Sequence, residues 1–235
     1  MFAASSAAPA LRSVAEREGA AAFVLSLRER GVVSRSVLRA MEVVPRHVFA
    51  PRRFADLARS DVALPLPGGQ TMTAPATVAA MLVALDVRAG QRVLEVGTGS
   101  GYVTALLAEM GAEVHSVERH PVLQAGARAR LDAAGRSGRV HLYGGDGLGP
   151  LPYEIRFDRI LLNGSLARIP DGVAGQIAGC GRLVGAIAVG RLPVLVRLEC
   201  EPSGQREEVL GPPLRIGALV DQGEREAVAC NGIVT

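Results

Sequence analysis

The sequence contains no lysine and no tryptophan, and its aromatic residues are five Phe and three Tyr among 235 residues. Because eight aromatic rings offer little surface on which nucleic-acid bases could stack, we do not expect a nucleic-acid partner. No unbroken apolar run reaches the length of a membrane span. The remaining composition, 49% hydrophobic residues with a net charge of +3, is that of a folded domain rather than a disordered chain.

Cysteine is also scarce, and the three cysteines, Cys180, Cys200 and Cys230, are widely spaced. They form no CxxC or Cys/His pattern, so neither a disulfide scaffold nor a structural metal site is expected. Residues 1–10 lack the basic start and apolar core of a signal peptide. The sequence therefore predicts free thiols and a cytoplasmic location.

The apolar pattern predicts an N-terminal helical region followed by a regular alternation of strands and helices. Helices are expected over residues 14–31, from an N-cap at Ser34 to Met41, and over 76–85, with a proline- and glycine-rich loop over 64–75. The alternating strands are predicted at residues 92–96, 113–118, 139–143, 157–162 and 182–188. Because helices separate these strands, the pattern predicts βαβ units and a parallel sheet.

The C-terminal region departs from this alternation. Residues 194–201 and 214–220 are strand-like and joined by a turn-rich link, so they predict an antiparallel hairpin at one edge of the sheet. The predicted fold class is α/β, a doubly wound, mostly parallel, seven-stranded, Rossmann-like sheet. We expect one domain over residues 1–235, divided into a flexible leader, an N-terminal helical and loop cap and a catalytic core at residues 1–20, 21–75 and 76–221.

A glycine-rich turn, Gly97-Thr98-Gly99-Ser100-Gly101, lies where the first alternating strand ends and a helix begins. Glycines there permit positive φ and close approach of a ligand to the backbone N–H groups of the helix start. The G-x-G-x-G spacing differs from the G-x-G-x-x-G that binds a dinucleotide pyrophosphate. Glu95, two residues before the turn, would repel a diphosphate but suits an ammonium group.

Two more carboxylates follow at the ends of the next two predicted strands. Glu118 is placed where a carboxylate can accept both hydroxyls of a ribose, and Asp146 could accept the amine of adenine. Ribose, adenine and a cationic amino acid without phosphate describe S-adenosylmethionine (SAM). The predicted cofactor residues of this region are Glu95, Gly97, Thr98, Gly99, Gly101, Glu118, Asp146 and Gly147.

Seven segments, in order along residues 44–221, resemble the protein L-isoaspartate O-methyltransferases. They are Val-Pro-Arg-His-Val-Phe-Ala-Pro (44–51), Leu-Pro-Leu (64–66), Gly-Gln-Thr-Met-Thr-Ala-Pro (69–75), Val-Leu-Glu-Val-Gly-Thr-Gly-Ser-Gly-Tyr (93–102), Gly-Asp-Gly (145–147), Phe-Asp-Arg-Ile (157–160) and Pro-Leu-Arg-Ile-Gly-Ala-Leu-Val (213–220). Many methyltransferases share the SAM motif, whereas the segments at 44–51 and 69–75 are much more particular to this family.

The resemblance implies a class I methyltransferase that uses SAM, releases S-adenosyl-L-homocysteine and needs no metal. Its substrate would be the free α-carboxylate of L-isoaspartyl residues in damaged proteins or peptides, whose ester then collapses to a succinimide and allows return to aspartate. Thr73 would hold an acceptor oxygen, and Gln70 and Thr71 would shape the loop over the methyl group. A carboxylate is already ionised at pH 7, so no general base is required.

Two departures from the family pattern concern the acceptor. Thr73 stands where the family usually has serine, and residues 163–170 keep only the last two residues of a segment that faces the substrate in the family. Asn163, Ser165 and Arg215 are the substrate candidates. The alternatives are a relative repurposed for a carboxylate or hydroxyl of a peptide natural product or small metabolite, and a non-catalytic SAM-binding module.

A hydroxyl acceptor would require a general base, and the sequence offers four histidines for that role. They are His47, His115, His120 and His141. Each is better explained as a structural or solvated residue than as a catalytic one. The oligomeric state stays open.

Overall fold

The computed structural model describes residues 13–149, 155–189, 192–201 and 204–219. Its elements are α1 (Val14–Glu29), α2 (Arg35–Val43), α3 (Arg46–Phe49), β1 (Leu64–Pro65), β2 (Thr71–Met72), α4 (Pro75–Leu85), β3 (Arg92–Val96), α5 (Tyr102–Glu109), β4 (Glu113–Glu118), α6 (Pro121–Ala133), β5 (Val140–Gly144), β6 (Phe157–Leu166), α7 (Asp171–Ala174), β7 (Ile177–Val189), β8 (Leu192–Glu201) and β9 (Gly204–Leu210). Short 3₁₀ turns lie at Arg52–Leu57, Pro67–Gly69 and Ser137–Arg139.

Seven strands form one sheet in the order β5-β4-β3-β6-β7-β8-β9. The first five strands of this order are parallel, and β8 and β9 add antiparallel pairings at one edge. This arrangement confirms the predicted fold class. Because the strand order reverses on either side of β3, a crevice opens beyond the carboxyl ends of β3 and its neighbours.

Alternate residues of β3 enter two different apolar clusters. Val93 packs in the cluster formed with α1, α2, α4 and α5, whereas Leu94 packs in the cluster that contains Phe157 of β6 and Val173 of α7. The period-two alternation of strand side chains therefore gives the sheet a core on each face. Among the described residues, no helix combines the length and the apolar character needed to cross a membrane.

Helix α1 begins at Val14, inside the segment expected to be a flexible leader. A capping box starts it: the Glu16 carboxylate accepts the Ser13 N–H at 2.9 Å, and the Ser13 hydroxyl accepts the Glu16 N–H at 3.2 Å. Residues 14–20 are therefore helical, as the pattern of 14–31 predicts, and the flexibility of the leader stays a prediction; residues 1–12 lie outside the described chain. Ser34 precedes α2 as predicted, but its side chain makes no capping bond to the helix backbone.

The second strand of the predicted C-terminal hairpin was placed wrongly. It is β9, and residues 214–219 instead cross the carboxyl end of β6; we call this segment the C-terminal strap. Ser165 donates its N–H to the Gly217 carbonyl, and Leu219 donates its N–H to the Ser165 carbonyl, both at 2.8 Å. The apolar pattern of 214–219 thus reflects packing over the sheet end, and Val220 lies outside the described residues.

Candidate functional site

The crevice at the carboxyl ends of β3, β4, β5 and β6 is open to solvent, and the space within it and its mouth amounts to about 810 Å³. Its walls come from the loop before α4, the glycine-rich turn, the ends of the parallel strands and the C-terminal strap. The structure brings together ten of the predicted site residues here: Gln70, Thr71, Thr73, Gly97, Thr98, Gly99, Glu118, Asp146, Gly147 and Asn163. Four others, Glu95, Gly101, Ser165 and Arg215, do not line it.

The three glycines of the turn have different surroundings although all have positive φ, at 94°, 55° and 85° for Gly97, Gly99 and Gly101. A Cβ on Gly97 would lie 2.9 Å from the Leu219 side chain of the strap. A Cβ on Gly101 would lie 3.1 Å from that of Ala127 on α6. Gly101 therefore permits close packing of α5 against α6, and its contact with a ligand stays a prediction.

Glu118, at the end of β4, is buried, and both of its carboxylate oxygens accept backbone hydrogen bonds. Gly99 donates its N–H to Oε2 at 2.8 Å, and His120 donates its N–H to Oε1 at 2.9 Å. Each oxygen retains acceptor capacity beyond its backbone bond. The carboxylate is therefore held rigidly at the crevice wall and can accept bonds from a polyhydroxyl ligand.

Asp146 and Gly147 follow β5 and line the crevice. Asp146 Oδ1 accepts the Leu148 N–H at 3.0 Å, and this hydrogen bond between a side chain and the backbone two residues later orders the loop. A Cβ on Gly147 would come within 2.9 Å of the Val96 side chain, so glycine is required there for close packing.

Glu95 lies beneath the glycine-rich turn and is completely buried, so its carboxylate does not reach the crevice. Thr104 and Ser116 donate their hydroxyls to Oε2 at 2.5 and 2.7 Å, and Asn163 donates its amide to Oε1 at 3.2 Å. Three internal donors therefore occupy this carboxylate, and its direct contact with a ligand ammonium stays a prediction. Burial raises the pKa of Glu95 to about 7, and the three hydrogen bonds oppose that rise.

We expect the titration of Glu95 to make folding stability fall as the pH rises. The ordinary pKa is 4.5 and the folded value is about 7, so the folded state binds more protons in this interval. The resulting stabilisation is complete below about pH 4.5 and is lost as the pH passes through about 7. The difference between the two pKa values corresponds to about 3 kcal/mol of unfolding free energy.

Urea unfolding of the protein and of its Glu95→Gln variant across this pH range checks the expectation. The variant lacks the titration, so the difference in unfolding free energy between the two proteins isolates Glu95 from all other ionisable groups. A difference that does not change with pH would show that Glu95 keeps its ordinary pKa in the folded protein.

Of the three predicted substrate residues, the structure places one in the crevice wall and two outside it. Asn163 lines the crevice, but its amide nitrogen is already bonded to Glu95 and, at 3.0 Å, to the Gly97 carbonyl. Its Oδ1 is buried and has no hydrogen-bond partner among the described residues. Ser165 pairs with the C-terminal strap, and Arg215 is exposed outside the crevice wall. Neither is therefore placed to contact a ligand in the crevice.

Thr73 lies at the crevice wall between β2 and α4 and is buried, with 8% of its surface exposed. Arg46, which was not among the predicted site residues, holds this loop. Its guanidinium donates to the carbonyls of Ala58 at 3.0 Å, Val62 at 3.0 Å and Thr73 at 3.1 Å. The 44–51 segment was the available signal, but only the structure shows that Arg46 acts on the loop.

His120, Ala218 and Leu219 are among the other wall residues that were not predicted. His120 was interpreted as structural or solvated, yet it lines the crevice near Gly68, where a Cβ would lie 3.5 Å from its ring. Ala218 and Leu219 reach the wall because the strap crosses the end of β6. A sequence pattern cannot show this placement, since the contact joins positions more than 50 residues apart.

Comparison with known proteins places the chain among close relatives. The family model of protein-L-isoaspartate(D-aspartate) O-methyltransferase (PCMT) matches residues 18–208. The protein-L-isoaspartate O-methyltransferase of Aeropyrum pernix is 41% identical over 219 residues, which cover 89% of this chain and 83% of that protein. The one from Xanthobacter autotrophicus is 43% identical over 185 residues, covering 78% and 84%.

Solved structures support the fold. A crystal structure described as a protein-L-isoaspartate O-methyltransferase (PCMT) from Plasmodium falciparum, in complex with S-adenosyl-L-homocysteine, matches with a TM-score of 0.75 at 20% identity. The match covers 85% of this chain and 97% of that one. Another protein-L-isoaspartate O-methyltransferase matches with a TM-score of 0.74 at 20% identity, covering 86% and 66%.

Proposed function

Because the chain belongs to the protein-L-isoaspartate(D-aspartate) O-methyltransferase family, we propose that it methylates the free carboxylate of L-isoaspartyl residues in damaged proteins or peptides, with SAM as the methyl donor. The observation that supports this proposal most strongly is that two walls of the crevice face the same space. The rigid Glu118 carboxylate and the backbone of the glycine-rich turn form one wall of the crevice, and the Thr73 loop forms another. This crevice suits a phosphate-free nucleoside next to an acceptor.

The residues present fit SAM. The Glu118 carboxylate can accept ribose hydroxyls, and Asp146 can accept the adenine amine. Carboxylates at this wall would repel a diphosphate. When bound, SAM supplies an electrophilic methyl group on a sulfonium that is already a strong leaving group.

The protein has to position the acceptor carboxylate and shield it from water, and it does not have to remove a proton from it. A carboxylate acceptor is ionised at neutral pH, so its oxygen is already a nucleophile. Thr73 is proposed to hold one acceptor oxygen through its hydroxyl, and Gln70 and Thr71 shape the same wall. Arg46 fixes the backbone of this loop, and the strap residue Leu219 packs against Gly97 of the turn, so the geometry favours alignment and exclusion of water.

The unusual 163–168 segment has a structural explanation, which supports the repair substrate over a different acceptor. Asn163 bonds Glu95 and Gly97 beneath the turn, and Ser165 pairs with the strap. Arg168 is exposed, and its guanidinium lies 3.7 Å from the carboxylate of Asp171, three residues further along the chain. These departures therefore build the wall and its surroundings, and nothing in their contacts demands a new substrate.

Methylation of matched peptides tests the proposed function. With labelled SAM, a peptide containing L-isoaspartate is expected to gain base-labile methyl ester, whereas its L-aspartyl twin stays at background. Absence of ester on the isoaspartyl peptide, with SAM binding intact, would contradict the proposed substrate. Turnover of a metabolite carboxylate or hydroxyl in its place would favour the repurposed alternative.

The role of Thr73 gives a second expected result. Thr73→Val removes one hydrogen bond to a charged acceptor, worth about 2 kcal/mol, and should lower kcat/KM for the isoaspartyl peptide about thirtyfold. Thr73→Ser keeps the hydroxyl and should stay near the original rate. Thr77→Val, on α4 and outside the crevice wall, is the matched control. Equal rates for Thr73→Val and the unchanged protein would remove Thr73 from the acceptor site.

We further propose a cytoplasmic location. Among the described residues, Cys180 and Cys200 are free thiols, as expected in a reducing compartment. Cys230 lies outside the described residues. Isoaspartyl proteins or peptides are the proposed partners, and the absence of a nucleic-acid partner stays a prediction.

A further inference from the structure

Three side chains that can bind metal lie together on strands β4 and β5, away from the crevice. Glu113 and His115 are two residues apart on β4, so they share one face of the sheet, and His141 is the register partner of His115 on β5. Glu118 is three residues beyond His115 and five beyond Glu113 on β4, so the cluster lies about 10 to 16 Å from the crevice wall along the strand. The function proposed above uses none of these three residues.

The ligand atoms are close enough for one ion. His115 Nε2 lies 3.7 Å from Glu113 Oε1, His141 Nε2 lies 3.5 Å from the same oxygen, and the three potential ligand atoms fall within 4.8 Å of one another. Zn²⁺ binds nitrogen and carboxylate oxygen at about 2.0–2.2 Å, which separates neighbouring tetrahedral ligands by about 3.3 Å. Small side-chain adjustments would therefore complete the shell.

His115 provides an independent indication of a missing ligand. The residue is 6% exposed, and its Nε2 is buried without a hydrogen-bond partner among the described residues. Its other ring nitrogen, Nδ1, lies 3.1 Å from the Tyr143 hydroxyl, and its ring packs edge-on against Phe157 at 5.4 Å between centroids. When Nδ1–H donates to Tyr143, the lone pair of Nε2 faces the cluster.

We propose that Glu113, His115 and His141 bind one divalent transition-metal ion of the Zn²⁺ class. Two imidazoles and one carboxylate form a donor set suited to this class. The side chains of His141 and Glu113 are about half exposed, so ions can enter and water can complete the coordination. Tyr143 is a positioning residue that orients His115, as second-shell partners of metal-binding histidines do. The ion would join β4 to the edge strand β5.

Titration of the untagged, EDTA-treated, full-length protein with ZnCl₂ alone tests this site by calorimetry. We expect one ion per chain and a rise in the thermal unfolding midpoint at saturating Zn²⁺. Co²⁺ in place of Zn²⁺ should give visible absorption typical of a four- or five-coordinate ion with nitrogen ligands. If neither Zn²⁺ nor Co²⁺ binds when its concentration is similar to that of the protein, the proposal is overturned.

Variants locate the site. His141→Asn and Glu113→Gln alter half-exposed side chains and should leave the metal-free unfolding midpoint unchanged while weakening Zn²⁺ binding at least about tenfold. Tyr143→Phe should weaken it about tenfold, the lower limit for loss of a second-shell partner. His47→Asn, at an exposed histidine outside the cluster, is the matched control. Undiminished affinity in both His141→Asn and Glu113→Gln would place the ion elsewhere and overturn the proposal.

Discussion

Replacing Glu118 with glutamine is expected to weaken SAM binding about a thousandfold. The carboxylate accepts N–H groups from Gly99 and His120, one on each oxygen. The amide of glutamine is uncharged and would turn its own NH₂ toward one of these donors, so both ribose hydroxyls would lose their hydrogen bond to a charged group. Two hydrogen bonds to a charged group, at about 2 kcal/mol each, give about 4 kcal/mol of binding free energy.

Calorimetric titration with SAM or S-adenosyl-L-homocysteine measures this loss directly. Glu207→Gln, on the exposed edge strand β9, removes the same charge far from the crevice and should bind as the unchanged protein does. A loss below tenfold in Glu118→Gln would mean that Glu118 does not hold the cofactor. Circular dichroism separates that outcome from a variant that has unfolded.

Replacing Arg46 with methionine is expected to lower the free energy of unfolding by about 4 kcal/mol. The guanidinium is buried and bridges three backbone carbonyls that belong to separate turns, those of Ala58, Val62 and Thr73. Hydrogen bonds to a charged donor contribute about 1.5–3 kcal/mol each, and the carbonyls left without a donor add a desolvation cost. Packing by the methionine side chain offsets part of the loss.

Urea unfolding of both proteins tests the Arg46 prediction, and Arg39→Met on the exposed side of α2 is its control. The control should change the unfolding free energy by less than about 0.5 kcal/mol, as exposed substitutions usually do. Because Arg46 also holds the Thr73 carbonyl, Arg46→Met should lose methyl transfer even at temperatures where it stays folded. A destabilisation under 1 kcal/mol would contradict the proposed role of Arg46.

The alternating part of the fold could be predicted because its signals are local. Strands β3 and β4 have the predicted bounds, and α1 and α4 match to within two residues. Strand β9 was missed because it is an exposed edge strand whose residues Gly204–Leu210 are mostly polar. Strands β6 and β7 run longer than predicted because their pairing continues through register shifts between Leu161 and Ser165.

The candidate site was predictable in part for the same reason. The turn at Gly97–Gly101 and the carboxylates Glu118 and Asp146 occupy strand ends, and strand ends can be located from the chain's own pattern. Glu95 has the same kind of position, yet its side chain points beneath the turn. Neighbouring residues of a strand point to opposite faces of the sheet. A shift of one position along the strand, or a local twist, therefore moves a carboxylate from the ligand side to the core.

The amino-acid sequence by itself determined the fold class, the glycine-rich turn and the phosphate-free character of the expected ligand, because each depends on residues that are neighbours in the chain. Only the tertiary structure decided which groups hold the Thr73 loop, which segment closes the crevice and which histidines meet across two strands. Arg46, the C-terminal strap and the pair of His115 and His141 act through contacts between distant positions. Such contacts depend on sheet register and on the course of loops, and the packing of the whole chain sets both.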